Sequence, residues 1–255
     1  ICGYRKGMHN IRVAAEVSGF KFNSILDISR FHPSTSIKHV AVALHKHGLS
    51  WGWARRLAPV LTYRGRLPQG AVTSNHVANI VLDGLMRRAI IPFATARKVI
   101  VRNYGDDIAL AGDDPKAVRA CFKEARRVIA KAGFEVSAKK CRELEHEGGK
   151  RHFIGCATGR CRPDYPRAKF RQDRDELRGI LHKQSMSPDA EPLAAKQIDS
   201  LKQRIAYVAR LNRRKARGLK EYFYRICAKN RKQLAAAGRG HRTGEAETLE
   251  SGTGH

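Results

Sequence analysis

Two adjacent aspartates, Asp106 and Asp107, lie in the middle of an otherwise apolar, strand-like segment, VRNYGDDIALAG (101–112). An aspartate is unfavourable inside a strand, and a buried charge without a partner costs free energy. The apolar runs on both sides of the Tyr-Gly-Asp-Asp sequence predict a β-hairpin whose tip displays the two carboxylates. A third carboxylate, Asp27, closes another predicted strand, FKFNSILDI (20–28). Carboxylates that meet at strand ends would suit Mg²⁺, which prefers oxygen ligands from protein and substrate phosphates.

Such a cluster has a known chemical use. Two Mg²⁺ ions held by carboxylates lower the pKa of an attacking hydroxyl and stabilise a leaving pyrophosphate, as in polymerases. Aspartate is also common in turns, so Asp106 and Asp107 could instead be simple turn residues. The spacing alone leaves both interpretations open.

The charge of the whole chain indicates the type of partner. Its 255 residues carry 50 lysines and arginines against 23 aspartates and glutamates, a formal net charge of +27. The basic residues occur along the whole chain, which favours nucleic acid as the partner over a membrane surface. No apolar run approaches the ~20 residues of a membrane-spanning helix, and no segment resembles a signal peptide. The six cysteines lack regular spacing, which is typical of reduced thiols, so we expect a cytoplasmic protein.

Local patterns predict the elements around the aspartates. Apolar periodicity and capping residues predict helices at 37–44, at 77–89 and from Pro115 to Gly133. We further expect a loop at 64–74, short strands at 134–138 and 151–156, and one or two basic helices at 196–228. This order predicts an α+β domain with an antiparallel sheet and helices on one face. The expected division is a catalytic region at 1–165, a basic helical region at 166–230 and a disordered tail at 231–255.

Four blocks, taken in order, resemble the reverse transcriptases, especially the bacterial retron and retron-like (defence-associated) type. These blocks are LDISRFHPS (26–34), LPQGAVTSNHVANIVL (67–82), NYGDDIALAG (103–112), and GFEVSAKKC with HFIGC (133–141, 152–156). A further segment, IDSLKQRIAYVARLNRRKARGLKEYF (198–223), resembles a retron-type thumb.

This resemblance implies a polymerase palm with partial fingers and a C-terminal helical thumb. The implied activity is that of an RNA-directed DNA polymerase, which extends a primer on an RNA template by two-metal phosphoryl transfer. The implied cofactor is Mg²⁺, as two ions, with Mn²⁺ as a possible substitute. The implied partners are the RNA template, a DNA or RNA primer and dNTPs, together with a structured non-coding RNA and an effector protein, but no membrane.

The resemblance also assigns residues to roles. The catalytic residues are Asp27, Asp106 and Asp107, and the metal-binding set is the same three residues with Ile28. The residues expected to line the nucleotide pocket are His32, Gln69, Gly70, Lys139 and Lys140. The residues expected to contact primer or template are Tyr104, Phe153, Ile154, Gly155, Arg204, Arg210, Arg213 and Arg214. Lys139 and Lys140 could instead be a solvated surface pair, and Phe153 could also serve core packing.

The sequence departs from the family pattern at several positions. His32 stands where the family has Phe or Tyr, the ring that blocks a ribose 2′-OH, although neighbouring Phe31 could supply that wall instead. Asn75 replaces a common proline, and Phe-Ile-Gly stands where retrons often have Val-Thr-Gly. Only GYRKG (3–7) and a short stretch precede the first block, and the chain starts at Ile1, so we expect an N-terminally truncated sequence.

Three alternatives remain beside the retron type. A group II intron-type reverse transcriptase is the nearest neighbour, although no maturase or endonuclease extension is visible. A viral RNA-dependent RNA polymerase also carries a Tyr-Gly-Asp-Asp sequence, but His32 and Gln69-Gly70 argue against it. A non-catalytic RNA-binding remnant of the same fold is the third, and the three intact carboxylates disfavour it.

Overall fold

The computed structural model describes residues 9–146, 152–158, 162–187 and 191–250. The segment GYRKG (3–7) and two of the six cysteines, Cys2 and Cys161, therefore lie outside the described residues. The chain divides into two compact units, 1–164 and 165–255.

An antiparallel sheet forms the centre of the first unit. Its four strands are β1 (Phe22–Asp27), β2 (Ile100–Tyr104), β3 (Asp107–Gly112) and β4 (Arg142–His146). Their order across the sheet is β2-β3-β1-β4, so β1 and β3 are the central strands. Every neighbouring pair is antiparallel, which confirms the predicted α+β fold.

Helices precede, connect and follow these strands. They are α1 (Asn10–Val17), α2 (Phe31–Ser34), α3 (Ile37–Lys46), α4 (Trp51–Val60), α5 (Ser74–Leu85), α6 (Ile91–Thr95) and α7 (Pro115–Lys131). A π-helical turn, Met86–Ile90, joins α5 to α6. A small hairpin, β5 (His152–Phe153) and β6 (Cys156–Ala157), completes the unit.

Helix α7 shows how the sequence specifies these elements. Asp114 caps its first turn by accepting a hydrogen bond from the backbone N–H of Lys116. The chain leaves the helix at Gly133, whose φ of +87° is a conformation that favours glycine. Between these ends, one apolar face is buried against β1 and β3, including Val118, Phe122 and Ile129. The predicted helix from Pro115 to Gly133 is thereby confirmed.

Several local predictions were wrong or incomplete. Within 134–138, Val136 makes only an isolated bridge to Ile28, and the strand lies instead at 142–146. The charged sequence Arg-Glu-Leu-Glu-His at 142–146 lacks the β-branched and aromatic residues that indicate a strand, and it pairs at the edge of the sheet. The predicted strand at 151–156 is a hairpin that turns at Ile154 and Gly155.

The sequence patterns also missed the helices α1, α2 and α4. In α4 the buried stripe consists of Ala54 and Ala58 alone, while the larger apolar side chains face outward. Such a helix does not produce the usual signal of large apolar residues at helical spacing. The helix predicted at 77–89 continues through the π-helical turn into α6.

The second unit is helical. It contains α8 (Arg167–Met186), α9 (Ala195–Leu211) and α10 (Arg213–Glu250), and its core includes Leu177, Ile205 and Leu219. Helix α10 continues past Arg231, where the sequence analysis expects a disordered tail to begin. The segment 234–237, Leu-Ala-Ala-Ala, consists of strong helix formers, so local propensity favours this continuation. The domain boundaries given by the sequence remain predictions.

A buried carboxylate links α8 and α9. Asp173 is 5% exposed and accepts hydrogen bonds from the Tyr165 hydroxyl (2.5 Å) and from Arg204 Nη1 (3.4 Å). Arg204 Nη1 also lies 2.5 Å from Glu176 Oε2. Burial, followed by the hydrogen bond to Asp173, raises the pKa of Tyr165 and keeps its hydroxyl protonated as a donor. Arg204 is therefore engaged within its own unit.

We expect Arg204→Ala to lower the free energy of unfolding by about 1–2 kcal/mol, because Asp173 loses a cationic partner while Tyr165 remains. The matched variant Arg210→Ala, at an exposed position on the same helix, should change it by less than about 0.5 kcal/mol. Urea unfolding followed by circular dichroism measures both. Equal stability of the two variants would contradict a structural role for Arg204.

Candidate active site

The sheet brings two of the three predicted carboxylates onto neighbouring strands. Strands β2 and β3 form the predicted hairpin, with Gly105 and Asp106 as its two-residue turn. Asp107 is the first residue of β3 and lies directly opposite Asp27, the last residue of β1. Directly opposed residues of an antiparallel pair have Cβ atoms about 4.5–5.5 Å apart. Asp106 lies beside them in the turn, where its carbonyl oxygen accepts a hydrogen bond from the Ile28 N–H (3.4 Å).

The carboxylates repel one another and attract a nearby cation. Burial, followed by repulsion from Asp106 and Asp27, raises the pKa of Asp107 to about 6. Asp27 is 4% exposed, and its Oδ2 lies 3.0 Å from Lys140 Nζ. This contact raises the pKa of Lys140 and keeps the ammonium charged. Both predicted lysines are exposed, and Lys140 is the one that contacts Asp27.

These residues fit a hard divalent cation. The donors are carboxylate oxygens, and a cation among them would offset the repulsion that raises the pKa of Asp107. Across the described ranges, no three His, Cys, Asp or Glu side chains are grouped closely enough to enclose a metal ion. Mg²⁺ commonly keeps several waters and takes substrate phosphates as ligands, so one or two carboxylates are a sufficient protein contribution for an ion. The side chain of Ile28 is a hydrocarbon without a donor atom, so Ile28 could contribute only its main-chain carbonyl.

The structure also distinguishes Phe31 from His32, the two residues that could form the wall against the sugar of the nucleotide. Phe31 is buried and packs on Phe134, with ring centroids 5.2 Å apart, so it belongs to the core. His32 is half-buried, and its Nε2 lies 3.1 Å from Asn75 Oδ1. A carbonyl oxygen only accepts, so Nε2 carries the proton in this contact. Two residues that depart from the family pattern, His32 and Asn75, thus contact each other.

The other predicted nucleotide-pocket residues, Gln69 and Gly70, lie exposed in the loop before α5. Tyr104 ends β2 and, like Asp27, lies opposite Asp107 on a neighbouring strand. The arginines predicted to contact nucleic acid, Arg210, Arg213 and Arg214, are exposed in the second unit.

The predicted primer-contacting residues form the β5–β6 hairpin. Phe153 is buried and pairs with Cys156, and the turn between them has positive φ at Ile154 (+46°) and Gly155 (+80°). A two-residue turn of this kind favours Asn-Gly, whereas a β-branched residue at positive φ is strained. The carbonyl of Ile154 accepts a hydrogen bond from Asn10 Nδ2 of α1 (3.1 Å), which holds the turn in place.

Sequence reasoning missed two contacts in this region. One is the bond from Asn10 to the Ile154 carbonyl, which joins residues 144 positions apart in the chain. The other is Cys141 Sγ, which accepts a hydrogen bond from the backbone N–H of Asp27 (3.3 Å). No local signal identifies either contact, because both depend on tertiary packing. The pairing of His32 with Asn75 had a signal, since both positions depart from the family pattern.

Comparison with protein families shows which family the chain belongs to. Residues 5–162 match the family model described as reverse transcriptase (RNA-dependent DNA polymerase), which is more than half of the chain. The chain belongs to the reverse transcriptase family.

Two curated reverse transcriptases are similar to it. It is 30% identical over 212 residues to the retron Mx65 reverse transcriptase of Myxococcus xanthus, a match that covers 76% of this chain and 47% of that protein. It is 27% identical over 184 residues to the retron Ec86 reverse transcriptase of Escherichia coli, which covers 70% and 55%. The chain thus spans about half the length of these relatives.

A solved structure also matches. The foamy viral protease-reverse transcriptase in complex with double-stranded DNA aligns with a TM-score of 0.45 at 18% identity. The alignment covers 88% of this chain and 38% of that one.

The strain at Ile154 gives a test of the hairpin. Ile154→Asn should raise the free energy of unfolding by about 1 kcal/mol, because asparagine tolerates positive φ far better than a β-branched residue. Gly155→Ala, at the next residue of the same turn, should lower it by a similar amount. Thermal unfolding of the three proteins measures these shifts, and a loss of stability in Ile154→Asn would contradict the strain.

Proposed function

We propose that this reverse transcriptase chain carries the catalytic palm of an RNA-directed DNA polymerase. The observation that carries the proposal is the pairing of Asp27 with Asp107 across β1 and β3, with Asp106 in the adjoining turn. Carboxylates in this arrangement supply oxygen ligands for divalent cations, and membership of the family gives the arrangement its chemistry.

We propose Mg²⁺ as the cofactor, as two ions, with Asp27, Asp106, Asp107 and the main-chain carbonyl of Ile28 as its protein ligands. When bound, such ions lower the pKa of the primer 3′-hydroxyl and neutralise charge on the leaving pyrophosphate. The residues of the chain bind and orient the reactants. Lys140 is already drawn to the carboxylates and would supply a positive charge close to the triphosphate.

Other residues would hold the two substrates. The imidazole of His32, fixed by Asn75, would face the sugar of the incoming nucleotide, while Gln69 and Gly70 would line the pocket of the base pair. The β5–β6 turn at Ile154 and Gly155 would contact the primer end. In the second unit, Arg210, Arg213 and Arg214 are the exposed cations available for the nucleic-acid backbone.

The proposed substrates are an RNA template, a DNA or RNA primer and dNTPs. Similarity to two retron reverse transcriptases favours the retron type over the group II intron type, and makes a structured non-coding RNA the expected template. An effector protein remains a prediction from the resemblance. The cytoplasm is the proposed compartment, on the basis of the cysteine usage. In the described part of the chain, no helix is long and apolar enough to span a bilayer.

The direct test replaces one carboxylate. Asp106→Asn should lower primer extension by about three orders of magnitude, because a metal ligand is lost while the shape of the turn is kept. RNA affinity should stay within about twofold. Extension is measured with a radiolabelled primer on an RNA template in Mg²⁺.

Asp175→Asn, at an exposed position of α8, is the charge-matched control and should extend normally. Extension by Asp106→Asn at the wild-type rate would end the proposal. RNA binding by the wild-type chain without extension in either Mg²⁺ or Mn²⁺ would favour the non-catalytic remnant.

The sugar-wall position gives a second test. His32→Phe should increase discrimination against ribonucleotides by about 10- to 200-fold, since a larger apolar ring excludes the 2′-OH and offers it no hydrogen bond. The measurement is the ratio of kcat/KM for dNTP and rNTP incorporation. His76→Phe, the same change at an exposed position of α5, should leave the ratio unchanged. Unaltered selectivity in His32→Phe would show that His32 is not the sugar wall.

A further inference from the structure

Helix α4 turns its large side chains away from the core. Its buried stripe contains only Ala54 and Ala58, while Trp51 is 43% exposed, Trp53 59% and Val60 80%. Tryptophan is among the most highly buried residue types on average, so two exposed tryptophans on one short helix indicate a surface that binds something.

An arginine of the same helix lies over the ring of each exposed tryptophan. The guanidinium of Arg55 lies 5.4 Å from the centre of the Trp51 ring, and that of Arg56 lies 5.7 Å from the centre of the Trp53 ring. These are spacings of four and three residues along the helix, at which side chains meet. Behind this face, the ring of His45 on α3 stacks on Trp51 with centroids 4.6 Å apart.

The order of these residues around the helix makes one continuous face. At about 100° per residue, the exposed side runs from Trp51 through Arg55, Gly52 and Arg56 to Trp53. We call these five residues the α4 surface. Two cations therefore lie between two aromatic rings, and at Gly52 a side chain would meet nothing within 4 Å, so the centre of the face is open.

The charge around the α4 surface restricts its partner. Residues 28–82, which include α2, α3, α4 and most of α5, contain seven lysines and arginines and no aspartate or glutamate. A polyanion is the matching ligand for such a segment. Aromatic rings paired with arginines further select a polyanion that has planar bases, because bases stack on the rings while phosphates contact the guanidinium groups. Sequence tolerance follows, since every base has a stacking face.

We propose that the α4 surface binds an unpaired segment of single-stranded RNA, with phosphates over Arg55 and Arg56 and bases stacked on Trp51 and Trp53. The choice of RNA rests on the proposed function, in which unpaired template is the single strand that this protein handles. None of the residues of the α4 surface is among those assigned to catalysis or to the nucleotide pocket. It would hold template outside the reacting centre.

The chain offers a direct optical test. Trp51 and Trp53 are its only two tryptophans, so all tryptophan fluorescence reports from the α4 surface. Titration of the whole chain with a 12-nucleotide RNA that cannot form base pairs with itself should quench this emission, and the same RNA in a duplex should quench it far less. The titration contains no dNTP and no divalent cation, so RNA binding can be measured even if the chain has no polymerase activity.

Variants separate stacking from charge. With fluorescently labelled RNA, Trp51→Ala/Trp53→Ala should weaken binding by about 10- to 100-fold with an unchanged salt slope. Arg55→Gln/Arg56→Gln should also weaken binding, and should reduce the slope of log K against log salt by about 1.4, or 0.7 for each lost phosphate contact. Val60→Ala is the matched control, because it removes exposed apolar surface from the same helix without touching an aromatic ring.

Three outcomes would overturn the proposal. The first is absence of quenching by the single strand, and the second is equal quenching by the duplex. The third is concentration-dependent self-association in sedimentation that Trp51→Ala/Trp53→Ala abolishes and Val60→Ala does not, without any quenching by RNA, which would assign the α4 surface to a second copy of the chain. Circular dichroism of each variant confirms that it is folded, and Trp51→Phe/Trp53→Phe, which keeps the rings, should retain most of the affinity.

Discussion

The pairing of β1 with β3 is the constraint on which the rest of the site depends. It places the last residue of one strand, Asp27, opposite the first residue of the other, Asp107, and so forces together two charges that repel. The pKa of Asp107 is raised to about 6, first by the burial of the group and then by repulsion from Asp106 and Asp27. The free energy needed to hold them there comes from the apolar strands behind, where Leu26, Ile108 and Leu110 are fully buried.

Several contacts with other elements fix this strand pair. The backbone carbonyl of Asp27 accepts a hydrogen bond from the Ser137 N–H, and the backbone N–H of Asp27 donates one to Cys141 Sγ. The ammonium group of Lys140 forms an ion pair with the Asp27 side chain. The segment between α7 and β4 therefore contacts Asp27 at three points, two on its backbone and one on its carboxylate. This explains why a stretch that forms no regular strand is nevertheless part of the site. It provides charge and hydrogen bonds, and β4 closes the edge of the sheet beside it.

The basic side chains of this protein have more than one structural role. Arg204 is bound to Asp173 and Glu176 inside the helical unit, so its charge serves packing, while Arg210, Arg213 and Arg214 face solvent. On α4 the arginines lie over aromatic rings and keep exposed cations beside apolar surface. Net charge therefore indicates a polyanionic partner without telling which cations contact it. To tell which cations contact the polyanion, one must know the groups with which each basic side chain already interacts.

The sequence by itself determined the strands β1, β2 and β3, the hairpin at Asp106 and helix α7, because apolar runs, turn residues and helix caps act locally. The ordered blocks also indicated the reverse transcriptase family. Only the tertiary structure decided that Phe31 is core and His32 faces Asn75, that Asn10 holds the strained turn at Ile154, and that α4 exposes its tryptophans. It also showed a strand at 142–146 where a charged sequence gave no signal. These features arise from contacts between residues far apart in the chain, and no local pattern encodes them.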